Sequence, residues 1–193
     1  TAMLNEIGLK TVSLQIEAEA ILRSLMPLGA NYDEPIAIVD LGATRSSFIC
    51  FDRGTIQFSL SMPTASDDIT ELIKKEFKRS SAEAEETKRI CGLDPSACDG
   101  KLVIALEPFV EEFVETIEKN IYFYQEHFKH ASRIKKVVLC GGGANMIGLP
   151  EALNKKLKGV IVQLGNPFTN LRVFILVCLC GFLLSSPMTT GEI

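Results

Sequence analysis

From Leu102 to Phe128 apolar side chains recur at steps of three and four: Val103, Leu106, Val110, Phe113, Ile117, Ile121, Tyr124 and Phe128. That period puts them on one face of a single long helix. A stripe so long needs a broad apolar partner, and a β-sheet supplies one. The strands are readable on either side. Ile36 to Asp40 is apolar and β-branched and is broken by Gly42; Ser46 to Phe51 and Thr55 to Met62 follow, joined by Asp52-Arg53-Gly54. A glycine turn between apolar runs predicts a hairpin, so these three strands read as an antiparallel meander. Lys135 to Cys140 and Val160 to Leu164 read as two further strands.

Helices fill the gaps. One starts near Asp67 with the stripe Ile69, Leu72, Ile73 and Phe77; another runs from Leu149 to Leu157 and stops before Gly159. The polar segment 79–101 holds a short acidic helix, capped by Ser80-Ser81 and ended by Gly92. Ahead of all this, Lys10 to Ile16 reads as a strand and Glu17 to Leu25 as a helix, closed by the cluster Pro27, Gly29, Asn31, Asp33 and Pro35. The order predicts an α/β fold, a mixed sheet with flanking helices and a small insertion.

Composition narrows the function. A net charge of -4 offers no basic footprint, so no nucleic-acid partner is expected. The cysteines at 50, 91, 98, 140, 178 and 180 form no CxxC pair and have no histidine at ligand spacing. Free thiols in a reducing compartment are expected rather than a disulfide framework. Thr1 to Glu6 lacks a basic-then-apolar signal pattern. The uncharged run Val173 to Leu184 has 12 residues, whereas a spanning helix needs about 20, so it reads as buried.

Three segments carry chemistry. In Val39-Asp40-Leu41-Gly42-Ala43-Thr44, an Asp at the end of a buried strand is costly unless its charge is used. Gly42 lets the chain turn closely, and the amides after it with the Thr44 hydroxyl can cradle a phosphate. Asp40 would then hold water around magnesium. The plainer alternative is a hairpin turn with a hydrogen-bonded Asp. In Cys140-Gly141-Gly142-Gly143-Ala144, the glycines can floor a planar ligand such as a nucleoside. Neither a Walker A loop nor a Rossmann fingerprint fits, since Met146 stands where a third glycine belongs. Glycine-rich strand-to-helix turns are also common without a ligand. In Ala84-Glu85-Glu86-Thr87-Lys88, Glu85 and Lys88 share a helical face, suited to ribose hydroxyls or a base edge. A solvated helix face is the competing reading. His127 and His130 lack a third ligand for a metal.

In this order and spacing, the segments resemble the actin-type ATPase superfamily, and within it the type IV pilus assembly protein PilM family. Ile38 to Thr44 matches the second phosphate motif, Phe58 to Pro63 and Asp68-Ile69-Thr70 its sequel, and Val138 to Leu149 the adenosine motif. The resemblance runs from about Gly8 to Phe168. It implies an actin-like (ribonuclease H-like) half, the C-terminal lobe of a two-lobed clamp, with ATP and Mg2+ between lobes. Residues 1–30 would end a first lobe, 31–78 and 102–170 would form the second, 79–101 would be an inserted subdomain, and 171–193 a divergent apolar tail. Asp40 would face the magnesium through water, with Gly42, Ala43 and Thr44 on the phosphates. Glu85 and Lys88 would lie near ribose and base, and Gly141, Gly142, Gly143 and Ala144 under the adenosine.

The resemblance also implies a cytoplasmic scaffold at the inner face of the inner membrane, docking a peptide of a PilN-like protein in a groove ahead of residue 1. At most weak ATPase activity is expected, with none from an isolated lobe, and an open cleft would favour self-association. A small-molecule kinase of the same superfamily and a nucleotide-independent interaction domain are the alternatives.

Overall fold

A computed structural model describes residues 2–27, 32–168 and 170. The strands form one five-stranded sheet in the order β3-β2-β1-β4-β5, with β1 Ile36–Leu41, β2 Ser46–Asp52, β3 Thr55–Met62, β4 Lys136–Cys140 and β5 Ile161–Leu164. The predicted meander is present: β1 pairs antiparallel with β2, and β2 with β3. β4 then returns parallel to β1, and β5 parallel to β4. Parallel return needs a crossover, which the helices supply. They are α3 (Ser66–Phe77), α4 (Ser81–Cys91), α5 (Lys101–His127) and α6 (Leu149–Lys156). This is the mixed, helix-flanked α/β sheet that the sequence predicts.

The long stripe is real but rotated slightly. Leu102, Leu106, Phe109, Val110, Phe113, Val114, Ile117 and Tyr124 are buried, whereas Val103, Ile121 and Phe128 are half-buried. The buried set packs with Ala37, Val39 and Leu41 of β1 and Phe48 and Cys50 of β2. Near the far end of α5, the Tyr124 hydroxyl donates to Asp52 Oδ2 at 2.7 Å. Burial and the carboxylate together push the Tyr124 pKa up. The bond also partners an Asp52 that is 4% exposed.

By contacts the chain divides into two units, Thr1–Ala30 with Asn166–Ile193, and Asn31–Gly165. In the first, α1 (Ala2–Glu6) precedes α2 (Glu17–Leu25). The Asn170 side-chain amide donates to the Arg23 and Met26 carbonyls, serving the end of α2.

Two expectations fail here. Lys10 to Ile16 is not a strand; its alternate side chains Val12, Leu14 and Ile16 are 94%, 79% and 63% exposed. A strand exists by pairing its amides, and among the described residues nothing pairs with this one. Nor are all cysteines free: Cys91 and Cys98 form a disulfide. The end of α4 and the reversal after Gly92 bring their Cα atoms to 5.9 Å, a separation typical of a bridge. Cys50 and Cys140 remain thiols. Among the described residues no helix is long and apolar enough to cross a membrane. Val173 to Leu184, Cys178 and Cys180 lie outside the described residues.

Candidate functional site

Parallel pairing of β1 with β4 sets Asp40 opposite Cys140, so both strands leave the sheet at the same edge. In α/β sheets such carboxyl ends are where ligands bind. The two bends touch. Gly141 has φ +85°, and a Cβ there would lie 2.3 Å from Asp40 Oδ1 and 2.6 Å from the Leu41 carbonyl oxygen. Only glycine fits. At Gly143 a Cβ would meet the Leu41 side chain at 2.6 Å and Ser66 Cβ at 2.9 Å. Gly142 differs: a Cβ there meets nothing within 4 Å. A Cβ on Gly42 would strike the Arg45 carbonyl at 2.4 Å, which fixes the β1–β2 turn as tight. Behind the bends, Cys140 Sγ donates to Asp40 Oδ1 at 3.8 Å. Burial, aided by the Asp40 charge, pushes this thiol up to about 12.

The start of α3 is tied to the same place. The amides of Ser66 and Asp67 donate to the Gly42 and Ala43 carbonyls, each at 2.9 Å. Two orphan donors of a helix start thus hold the β1–β2 turn. The Ala65 amide donates to Asp68 Oδ2 at 2.7 Å, so Asp68 caps the helix.

α4 supplies the third wall. Ser80 caps it: Ser80 Oγ accepts from the Glu83 amide at 3.3 Å, and the Glu83 carboxylate accepts from the Ser80 amide at 2.9 Å. Lys88 is not on a solvated face. It is 7% exposed, and its ammonium donates to Ser66 O at 3.2 Å, Ser66 Oγ at 3.0 Å and Thr70 Oγ1 at 2.9 Å. Glu85 Oε2 lies 2.7 Å from it and also accepts from Thr70 Oγ1 at 2.7 Å. Partial burial pushes the Glu85 carboxyl up, but the bonds from Lys88 and Thr70 outweigh it and leave the pKa below its ordinary value. With its donors spent inside the protein, Lys88 pins α4 to α3.

These walls enclose a cavity of about 420 Å3. Of the residues singled out by sequence, Ala43, Glu85, Lys88, Gly142 and Gly143 line it. Asp40, Gly42, Thr44, Gly141 and Ala144 do not: Gly42 and Gly141 build the turns, Asp40 sits behind Gly141, Ala144 is buried and Thr44 is exposed on the β1–β2 turn. The lining also includes Ser66, Asp67, Arg89, Asn145 and Met146. Asp67 stands in the first turn of α3, Arg89 follows Lys88, and Asn145 and Met146 lie within the Val138 to Leu149 segment. Asp67 and Glu85 balance Lys88 and Arg89, so the lining is neutral overall. No cluster of three or more acidic, His or Cys groups fit for a metal occurs among the described residues.

The family profile described as type IV pilus assembly protein PilM matches residues 1–177. The chain belongs to the PilM family. The match overturns the expectation that only a C-terminal lobe would resemble it, since nearly the whole chain is covered. Among solved structures, a chain of a PilM–PilN type IV pilus biogenesis complex is 25% identical, with a TM-score of 0.70 over 86% of this chain and 46% of that one. The ethanolamine utilization protein EutJ from Carboxydothermus hydrogenoformans is 23% identical, with a TM-score of 0.63 over 86% and 55%. MreB5 of Spiroplasma citri, solved with ADP, is 15% identical, with a TM-score of 0.58 over 96% and 66%. The last two likenesses show the fold alone, that of an actin-like ATPase. The chain spans about half the length of the first two of these chains.

Proposed function

We propose that the cavity binds a nucleotide, ATP with Mg2+, and that the chain works as a PilM-type scaffold at the cytoplasmic face of the inner membrane. The observation that carries this is the meeting of the β1–β2 turn, the start of α3, the Glu85–Lys88 face of α4 and the Gly142-Gly143 bend around one space. The chemistry divides along it. A neutral lining with an open glycine floor suits the nucleoside, with the ribose hydroxyls toward Glu85 and the base beside Arg89. The phosphates would extend to the turn at Gly42, Ala43 and Thr44, whose amides follow a strand end.

For Mg2+ the residues fit only in part. Asp40 is a carboxylate behind the bends, and among the described residues no group of three or more acidic, His or Cys side chains could hold a metal ion. Mg2+ characteristically keeps several waters and rides on substrate phosphates with one or two carboxylates, which suits Asp40 through water. When bound, the ion would neutralise phosphate charge. The chain's own residues position and enclose the ligand, and no side chain is assigned as a catalytic base.

The likeness to a PilM–PilN complex supports a PilN-like partner, and in this reading the contact is made by a cytoplasmic peptide of an inner-membrane protein. Calorimetry with Mg-ATP tests the nucleotide reading on the full chain and on Gly142→Val, whose new side chain enters open space. Saturable binding to the parent, weakened at least about tenfold in the variant, is expected. Absence of binding to the parent would favour the nucleotide-independent interaction domain instead.

A further inference from the structure

We propose that the Cys91–Cys98 disulfide is a redox-sensitive clasp on the cavity wall, holding the end of α4 against the glycine bend when closed and loosening both when reduced. Cys91 is the last residue of α4, one helical turn beyond Lys88. It is 2% exposed, whereas Cys98 is exposed on the turn before α5. The bridge therefore ties a buried helix end to a surface turn.

Two connections run from the bridge to the cavity. The Gly92 amide donates to the Lys88 carbonyl at 3.1 Å, closing the turn whose Lys88 and Arg89 line the cavity. The Leu93 amide donates to the Ile147 carbonyl at 2.7 Å, beside the lining residue Met146. Packing there leaves no slack. A Cβ on Gly92 would stand 2.4 Å from the Ile147 carbonyl oxygen, and one on Gly148 would stand 2.9 Å from that of Leu93. A shift of 92–93 is therefore felt at 147–148. The turn itself is held away from rest. Cys98 and Asp99 have φ of 52° and 58°, a left-handed region that residues other than glycine keep only when their surroundings hold them.

Opening is thiol–disulfide exchange with a dithiol reductant. One thiolate of the reductant attacks Cys98, the S–S bond breaks, and Cys91 leaves and takes up a proton. The second reductant sulfur then displaces Cys98, which is protonated in turn, giving two protein thiols and one cyclic disulfide. A low-molecular-weight disulfide runs the sequence backwards and closes the clasp. Once open, Cys91 stays in the core as a small apolar group, while the turn at 98–99 relaxes. A looser wall must be ordered again by whatever binds, which weakens binding. The clasp stands on its own geometry; what the cavity holds rests on the nucleotide reading.

The test compares the isotope-labelled full chain, oxidised and treated with dithiothreitol, by amide NMR without ligand, and then titrates both forms with Mg-ADP. Reduction should move the amides of Lys88, Arg89, Leu93, Ile147 and Gly148 and leave those of β3 in place. Shifts confined to residues 97–100 would overturn the proposal. The reduced chain should bind Mg-ADP about fivefold more weakly, the lower end of ordinary coupling between two sites. By linkage, Mg-ADP should favour the closed bridge by the same factor in a glutathione buffer, a response that a bridge unconnected to the cavity would not give. Measurable but equal affinity of the two forms would overturn the proposal. Cys98→Ser should bind like the reduced parent and ignore dithiothreitol; a response there would assign the effect to other cysteines and overturn it as well. Absence of Mg-ADP binding in both forms would refute the nucleotide reading, and the shifts without ligand would still decide the clasp.

Discussion

Gly142 and Gly143 are neighbours in sequence with opposite tasks. A side chain at 143 would enter the space of Leu41 and Ser66, while one at 142 would enter the cavity. Gly143→Ala should therefore lower stability by about 1–3 kcal/mol, the usual cost of overpacking, seen as a lower urea midpoint. Gly142→Val should leave that midpoint within about 0.5 kcal/mol and act on ligand binding alone. Glu85 gives a pH dependence. Its folded pKa lies below the ordinary 4.5, so its contribution is present above pH 4.5 and is lost as pH falls through the folded value. Glu85→Gln should flatten the loss of stability below pH 4.5, by a small amount because the side chain is 48% exposed. The sequence showed that Glu85 and Lys88 share a face, since three-residue spacing is local information. That the face is buried against Ser66 and Thr70 was not legible, because it depends on how α4 docks on α3. Ser66 and Arg89 were missed for the same reason, whereas Asn145 and Met146 lie within the Val138 to Leu149 segment without having been singled out as contacts.

Among the elements, α5 was the most legible because its stripe is periodic and needs no partner to be seen. Phe113 lies at its centre and is fully buried, so Phe113→Ala should cost about 3–5 kcal/mol in denaturant unfolding. Lys10 to Ile16 shows the converse. Its alternating pattern is that of a strand, yet pairing decides whether a strand forms, and pattern alone does not supply the pair. The Cys91–Cys98 bridge was hidden because spacing cannot show that the chain reverses after Gly92. Closing so short a loop stabilises by about 2–3 kcal/mol in the chain-entropy view. Adding reductant should lower the thermal midpoint of the parent chain and leave a Cys91→Ser, Cys98→Ser double variant unmoved.

At the level of the whole molecule, one topological choice creates the site. β4 runs parallel to β1 in register, so the bend after Asp40 and the bend after Cys140 emerge together. Antiparallel pairing would have sent them to opposite ends of the sheet. The order and spacing of the motifs carried this fold in the sequence, and the family model matches residues 1–177. A crystal grown with Mg-ADP tests the resulting claim most directly. Ligand density against Ala43, Ser66, Gly142 and Gly143 is the expected result. Density for a bound nucleotide anywhere else on the chain would contradict it.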